Sequence, residues 1–141
     1  MSQADLKTIV KDFEKKGKNS LLEPTTEAKI ELFEKENQIT LPSKYKEWLQ
    51  ISDGGEFFLP AGVQLYGIEH KPLIDVNDDS RPSEDYIVIG TFATGDPILY
   101  KKDEETISIY NPEMGEIDDE LVYQDFTAFL KDLYELLGLG E

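Results

Sequence analysis

The segment Leu41–Gly55, LPSKYKEWLQISDGG, limits what the chain can become more than any other, because it holds a helix start, an apolar stripe, a helix stop and the only Trp. Pro42 suits a first helical turn, where its missing N–H is not needed and its φ is already helical. Tyr45, Trp48, Leu49 and Ser52 follow at i, i+3, i+4 and i+7, so both rings and Leu49 share one face, while Lys44, Lys46, Glu47 and Gln50 point to water. That face has to be buried. Asp53 fits an irregular last turn, and Gly54 and Gly55 can take the positive φ that ends a helix, so the segment predicts a helix stopping there and a strand from Glu56 to Leu59.

Upstream, Leu6, Ile9, Val10 and Phe13 predict an amphipathic helix over 4–16, ended by Gly17. The polar residues 18–20 read as loop. Thr25 and Thr26 cap a second helix that runs to about Glu36, anchored by Ile30 and Phe33 with Ala28 and Leu32 flanking. After the central helix the period changes to two: Phe57 and Leu59 alternate with Glu56 and Phe58, and Val63 and Leu65 with Gln64 and Tyr66, joined by a hairpin at Pro60-Ala61-Gly62. Residues 71–85 form a long acidic excursion with little to bury beyond Leu73, Ile74 and Val76. Residues 86–92, 98–101 and 106–110 predict an antiparallel meander with turns at Ala93–Pro97 and Asp103-Glu104-Glu105, and Leu121–Tyr123 adds a short edge strand. Asp125 caps a closing helix that carries Phe126, Phe129, Leu130, Leu133, Leu136 and Leu137 up to Gly138. Strands in a block flanked by helices give an α+β fold: a single domain over 1–141, with a mainly antiparallel twisted sheet of about five to six strands, N-terminal helices and one C-terminal helix.

Thirty Asp and Glu against fourteen Lys and Arg give a formal net charge of −16. With a single arginine, Arg81, and lysines interleaved with acids, direct nucleic-acid binding is disfavoured, whereas a basic protein partner is favoured. Acidity of this kind also serves solubility alone. Cysteine is absent, which excludes disulfides and thiolate sites. No window approaches the ~18 apolar residues of a membrane span, and Asp5, Lys7 and Lys11 interrupt any leader-like run, so a cytoplasmic protein without a membrane partner is expected.

Chemical motifs fail on their own terms. Asp75, Asn77 and Asp79 match the first ligand positions of an EF-hand loop, but Ser80 stands where the turn needs Gly and Tyr86 where a bidentate Glu is required. Gly90 and Gly95 have phosphate-loop spacing, but Asp96 occupies the lysine position and would repel phosphate, so Gly95-Asp96-Pro97 is read as a turn. The one histidine, His70, lies outside any nucleophile pattern and reads as a surface or turn residue. Tyr66, Tyr100, Tyr110 and Tyr123 suit sheet packing or an interface, and packing is preferred. No catalytic residue, cofactor or metal ligand is expected.

The order LPxxYxxWLxxxDGG, then an aromatic strand and Leu65-Tyr66-Gly67, resembles the start of a SUKH domain. The resemblance continues in IVIGTFATGDPILYKK and in Asp125–Leu133, and covers roughly the last 100 of the 141 residues. That superfamily includes yeast cell-wall-assembly regulators of the Smi/Knr type and many bacterial immunity proteins. The resemblance implies a non-catalytic immunity protein that neutralises a polymorphic or contact-dependent toxin domain by direct binding. An intracellular regulatory or scaffolding adaptor of the Smi/Knr type is the alternative, and an acid-base hydrolase a distant third. The expected partner is a basic protein, and the chain is expected to be a monomer or weak dimer. The expected partner-binding residues are Asp75, Asp78, Asp79, Glu84 and Asp85, then Asp103, Glu104, Glu105, Asp118, Asp119 and Glu120. The structural set is Leu41, Pro42, Tyr45, Trp48, Leu49, Gly54, Gly55, Asp125, Phe126, Phe129 and Leu130.

Overall fold

The alternating segments pair strictly with their neighbours in sequence, so the sheet is laid down in chain order. A computed structural model describes residues 2–136 except 17, 60–61, 71–72, 77–80 and 112. Among these residues seven strands form one antiparallel sheet in the order β1 (Lys18–Ser20), β2 (Gly55–Leu59), β3 (Val63–Leu65), β4 (Tyr86–Phe92), β5 (Pro97–Lys101), β6 (Ile107–Asn111) and β7 (Glu116–Tyr123). The helices are α1 (Ser2–Lys16), α2 (Glu27–Asn37), α3 (Ser43–Leu49) and α4 (Phe126–Leu136). The architecture is α+β.

The strand count exceeds the expected five to six by β1, and both sheet edges depart from expectation. Residues 18–20, too polar to read as a strand, pair with β2 through Lys18↔Leu59 and Ser20↔Glu56, and Asn19 adds a side-chain bond by accepting from the Phe58 N–H (3.0 Å). At the other edge β7 begins at Glu116, well before Leu121. Its pairings Tyr110↔Ile117 and Ser108↔Val122 leave residues 118–121 opposite Ile109 alone. An acidic bulge of this kind blunts an edge that would otherwise recruit another strand.

One sheet face carries the core. Phe57, Leu65, Ile87, Ile98, Tyr100 and Ile107 meet Leu6 of α1, Tyr45, Trp48 and Leu49 of α3, and Phe126, Phe129 and Leu133 of α4, all fully buried. The Trp48 ring lies 5.3 Å from Phe57 and 6.5 Å from Phe126, and Tyr45 stands edge-on to Phe126 at 4.8 Å. Phe58 departs from the expected alternation. It takes a positive φ of 58°, and its buried ring packs on Phe13 at 4.8 Å instead of sharing the face of Glu56. On the opposite face Val88, Leu99, Ser108 and Val122 stand side by side across β4–β7, buried except for Val122.

The central helix is shorter than the stripe suggests, because α3 ends at Leu49. Gln50 N shares the Lys46 and Glu47 carbonyls, and Ile51 N reaches Trp48 O at 2.8 Å, which tightens the chain out of α-geometry. Ser52 then leaves the helical face: its Oγ accepts from Leu22 N and donates to Gly54 O, both at 2.8 Å. The expected closing-helix residues Leu137 and Gly138, and hairpin residues Pro60 and Ala61, lie outside the described residues.

Candidate functional site

Register brings two acidic segments to one end of the sheet. Tyr86 of β4 pairs with Lys101 of β5, and just beyond that pair the Lys102 N–H donates to Asp85 O at 2.8 Å. The end of the excursion, with Glu84 and Asp85, therefore abuts the β5–β6 turn, with Asp103 and Glu104, and all four are exposed. The turn is tight: Glu104 N reaches Lys101 O at 3.0 Å and Asp103 takes φ 66°, a conformation short polar side chains tolerate. Arg81 ties the excursion to the sheet, its guanidinium donating to Val76 O and Tyr86 O at 2.9 Å each. Asp75 is also exposed, on the segment leading to that tie.

Glu105 has a different job. Its carboxylate accepts from Ser43 N (2.8 Å), Ser43 Oγ (2.9 Å) and Lys44 N (3.4 Å), so it caps the start of α3 from across the structure. Asp78 and Asp79 lie outside the described residues. Asp118, Asp119 and Glu120 sit in the β7 bulge, on the edge strand and away from the β4–β5 end.

Residues placed in the structural set occupy the core: Leu41, Tyr45, Trp48, Leu49, Phe126, Phe129 and Leu130 are buried, as is Pro42. Asp125 Oδ1 accepts from Ala128 N at 2.8 Å and so caps α4. Gly54 at φ 96° and Gly55 at φ 123° make the turn into β2, and a Cβ on Gly54 would come 2.8 Å from Leu65 O.

Asp53 is the residue that sequence reasoning passed over. Its carboxylate, fully buried, accepts from the Ile68, Glu69 and His70 N–H groups at 2.7–2.8 Å and contacts His70 Nδ1 at 3.0 Å. It thereby anchors the start of the excursion beneath α3. Gly67 is required there, since a Cβ would approach Asp53 O to 2.3 Å. Tyr45 closes the same anchor by donating its hydroxyl to Tyr66 O, and burial, then the Asp53 charge, push its pKa well above the usual tyrosine value. Beside it the Lys29 ammonium, 2.8 Å away, holds the Glu69 carboxyl below its ordinary range. The signal was the Asp immediately before Gly54-Gly55, but a distant loop supplied its donors.

Chemically, the sheet end offers four exposed carboxylates beside two exposed lysines, Lys101 and Lys102, so acids outnumber bases there by two to one. Among the described residues no three or more His, Cys, Asp or Glu are placed to share a metal ion, and no helix is long and apolar enough to cross a membrane. Compared with known families, the chain matches the profile of the SMI1 / KNR4 family (SUKH-1) over residues 24–132, from the approach to α2 into α4. No curated protein matches it.

Proposed function

Because the chain belongs to the SMI1 / KNR4 family (SUKH-1), we propose that it is an immunity protein, a single domain over 1–141 that blocks a basic toxin domain by stoichiometric binding rather than by catalysis. The observation that carries this reading is the meeting of Glu84 and Asp85 with Asp103 and Glu104 on two segments tied together at the sheet end. Such charges steer a basic partner into the right orientation from beyond contact range, and their effect weakens as salt screens it. A steering role is proposed as well for Asp75, Asp78 and Asp79 of the acidic excursion sequence and, after them, for Asp118, Asp119 and Glu120. The protein acts in the cytoplasm, as a monomer or weak dimer, without cofactor, nucleic acid or membrane. Its alternative role, a regulatory adaptor of the Smi/Knr type, differs in needing several partners of moderate affinity.

The test is association kinetics against a candidate toxin domain, sought in the reading frames beside the gene, at low and high salt. The quadruple variant Glu84→Gln, Asp85→Asn, Asp103→Asn, Glu104→Gln is expected to associate about tenfold more slowly at low salt and to differ much less at high salt. Association that is independent of salt and equal for both proteins would remove the steering role. Absence of any complex with the neighbouring toxin would remove the immunity reading.

A further inference from the structure

A second polar feature lies on the sheet face turned away from α1, α3 and α4. Glu56, Gln64 and Thr91 are direct cross-strand neighbours on β2, β3 and β4, and they line a small open cleft of about 140 Å³ whose end is walled by Gly62 and Ala93. That wall is fixed main chain: Ala93 N donates to Gly62 O at 3.0 Å, and a Cβ on Gly62 would come 1.8 Å from Phe57 O. Gln64 Nε2 donates to Glu56 Oε2 at 3.1 Å, which holds the carboxylate in place. The Thr91 hydroxyl lies within reach of two main-chain acceptors, Phe92 O at 3.1 Å and Asp96 O at 3.4 Å. With these donors engaged, the capacity left in the cleft is mainly that of acceptors: the carboxylate, the Gln64 carbonyl and the Thr91 lone pairs.

We propose that this cleft is a subsite for an arginine side chain of a protein partner. A guanidinium is a flat fork of five donors with no acceptor and is more weakly hydrated than an ammonium, so it matches a preset carboxylate flanked by neutral acceptors better than lysine does. Thr91 lies five residues along β4 from Tyr86, ~16 Å from the acidic sheet end at strand rise, and one standard interface spans both. The subsite supplies what steering charges lack, a desolvated anchor that slows dissociation. Only the identity of the partner rests on the immunity reading; the cleft's preference for arginine does not.

The probes are N-acetyl-arginine amide and N-acetyl-lysine amide, titrated separately at constant ionic strength into the full chain while backbone amide NMR shifts are followed. The arginine probe is expected to give saturable shifts centred on Gln64, Thr91 and Ala93, with the lysine probe at least about threefold weaker. Glu56→Gln is expected to weaken arginine binding about tenfold. Ala93→Trp, an exposed turn substitution that keeps the charge and fills the mouth, should weaken it comparably. Shifts of equal size from both probes, spread over the acidic surface, would overturn the proposal, as would unchanged arginine binding in either folded variant. Because no toxin is present, this result stands or falls separately from the kinetic test of immunity.

Discussion

At the scale of single residues, Trp48 and Tyr45 hold opposite kinds of value. Trp48 is fully buried against Phe57 and Phe126, and its Nε1–H has no hydrogen-bond partner among the described residues. Its contribution is therefore packing. Trp48→Ala is expected to cost about 3–5 kcal/mol and Trp48→Phe clearly less, read from urea unfolding beside the surface control Glu113→Gln. Equal losses for Ala and Phe would assign the value to the indole N–H instead. Tyr45 contributes through its hydroxyl, donated to Tyr66 O. Since burial raises its pKa above the ordinary 10.0, the folded protein keeps a proton that the unfolded chain releases. The resulting stability is complete below that ordinary value and is lost as pH climbs past it. Tyr45→Phe should cost about 1–2 kcal/mol at neutral pH yet lose less stability than wild type between about pH 9 and 11. Some alkaline loss persists in the variant, because burial also raises the Tyr100 pKa. Parallel pH profiles for the two proteins would exclude Tyr45 as the alkali-sensitive group.

At the scale of elements, α3 is a helix of seven residues that could not stand alone, and Glu105 supplies its start from the β5–β6 turn. Glu105→Ala is expected to cost about 1–2 kcal/mol by calorimetric unfolding, whereas Glu104→Ala, one residue away and exposed, should cost almost nothing. Similar midpoints for both variants would refute the cap. This cap also shows where sequence reading stops. The apolar stripe of α3, the alternation in β3 and the α4 face were legible because local period reports directly on which face is buried, whereas β4–β6, buried on both faces, were legible as apolar runs between turns. Glu105 looked like one more acid in a turn, since its partner lies 62 residues earlier. Asp53 was hidden for the same reason: its three amide donors belong to a loop folded back from residues 68–70. β1 was invisible because a polar three-residue edge strand has no period to read. The acidic sheet end was half legible, with composition giving the charge and only the Asp85–Lys102 contact joining its two parts.

For the whole molecule, the net charge of −16 means the folded state carries self-repulsion that salt relieves. Thermal unfolding should therefore shift upward as neutral salt is raised, and the quadruple neutralised variant should show a smaller shift; identical shifts would mean that these acids do not burden the fold. The chain-order sheet has a further consequence, which concerns time rather than energy. Each strand finds its partner among its immediate neighbours, so the meander β4–β7 closes only short loops and can form early. α1, by contrast, packs on α3 and also on α4, more than a hundred residues later, so its seat is complete only once α4 has formed. On a ribosome, α1 is made well before α4 and so waits for the completion of its seat. Leu6→Ala should therefore act chiefly by hastening unfolding, while Ile98→Val should slow folding, a division that the two arms of a chevron plot resolve.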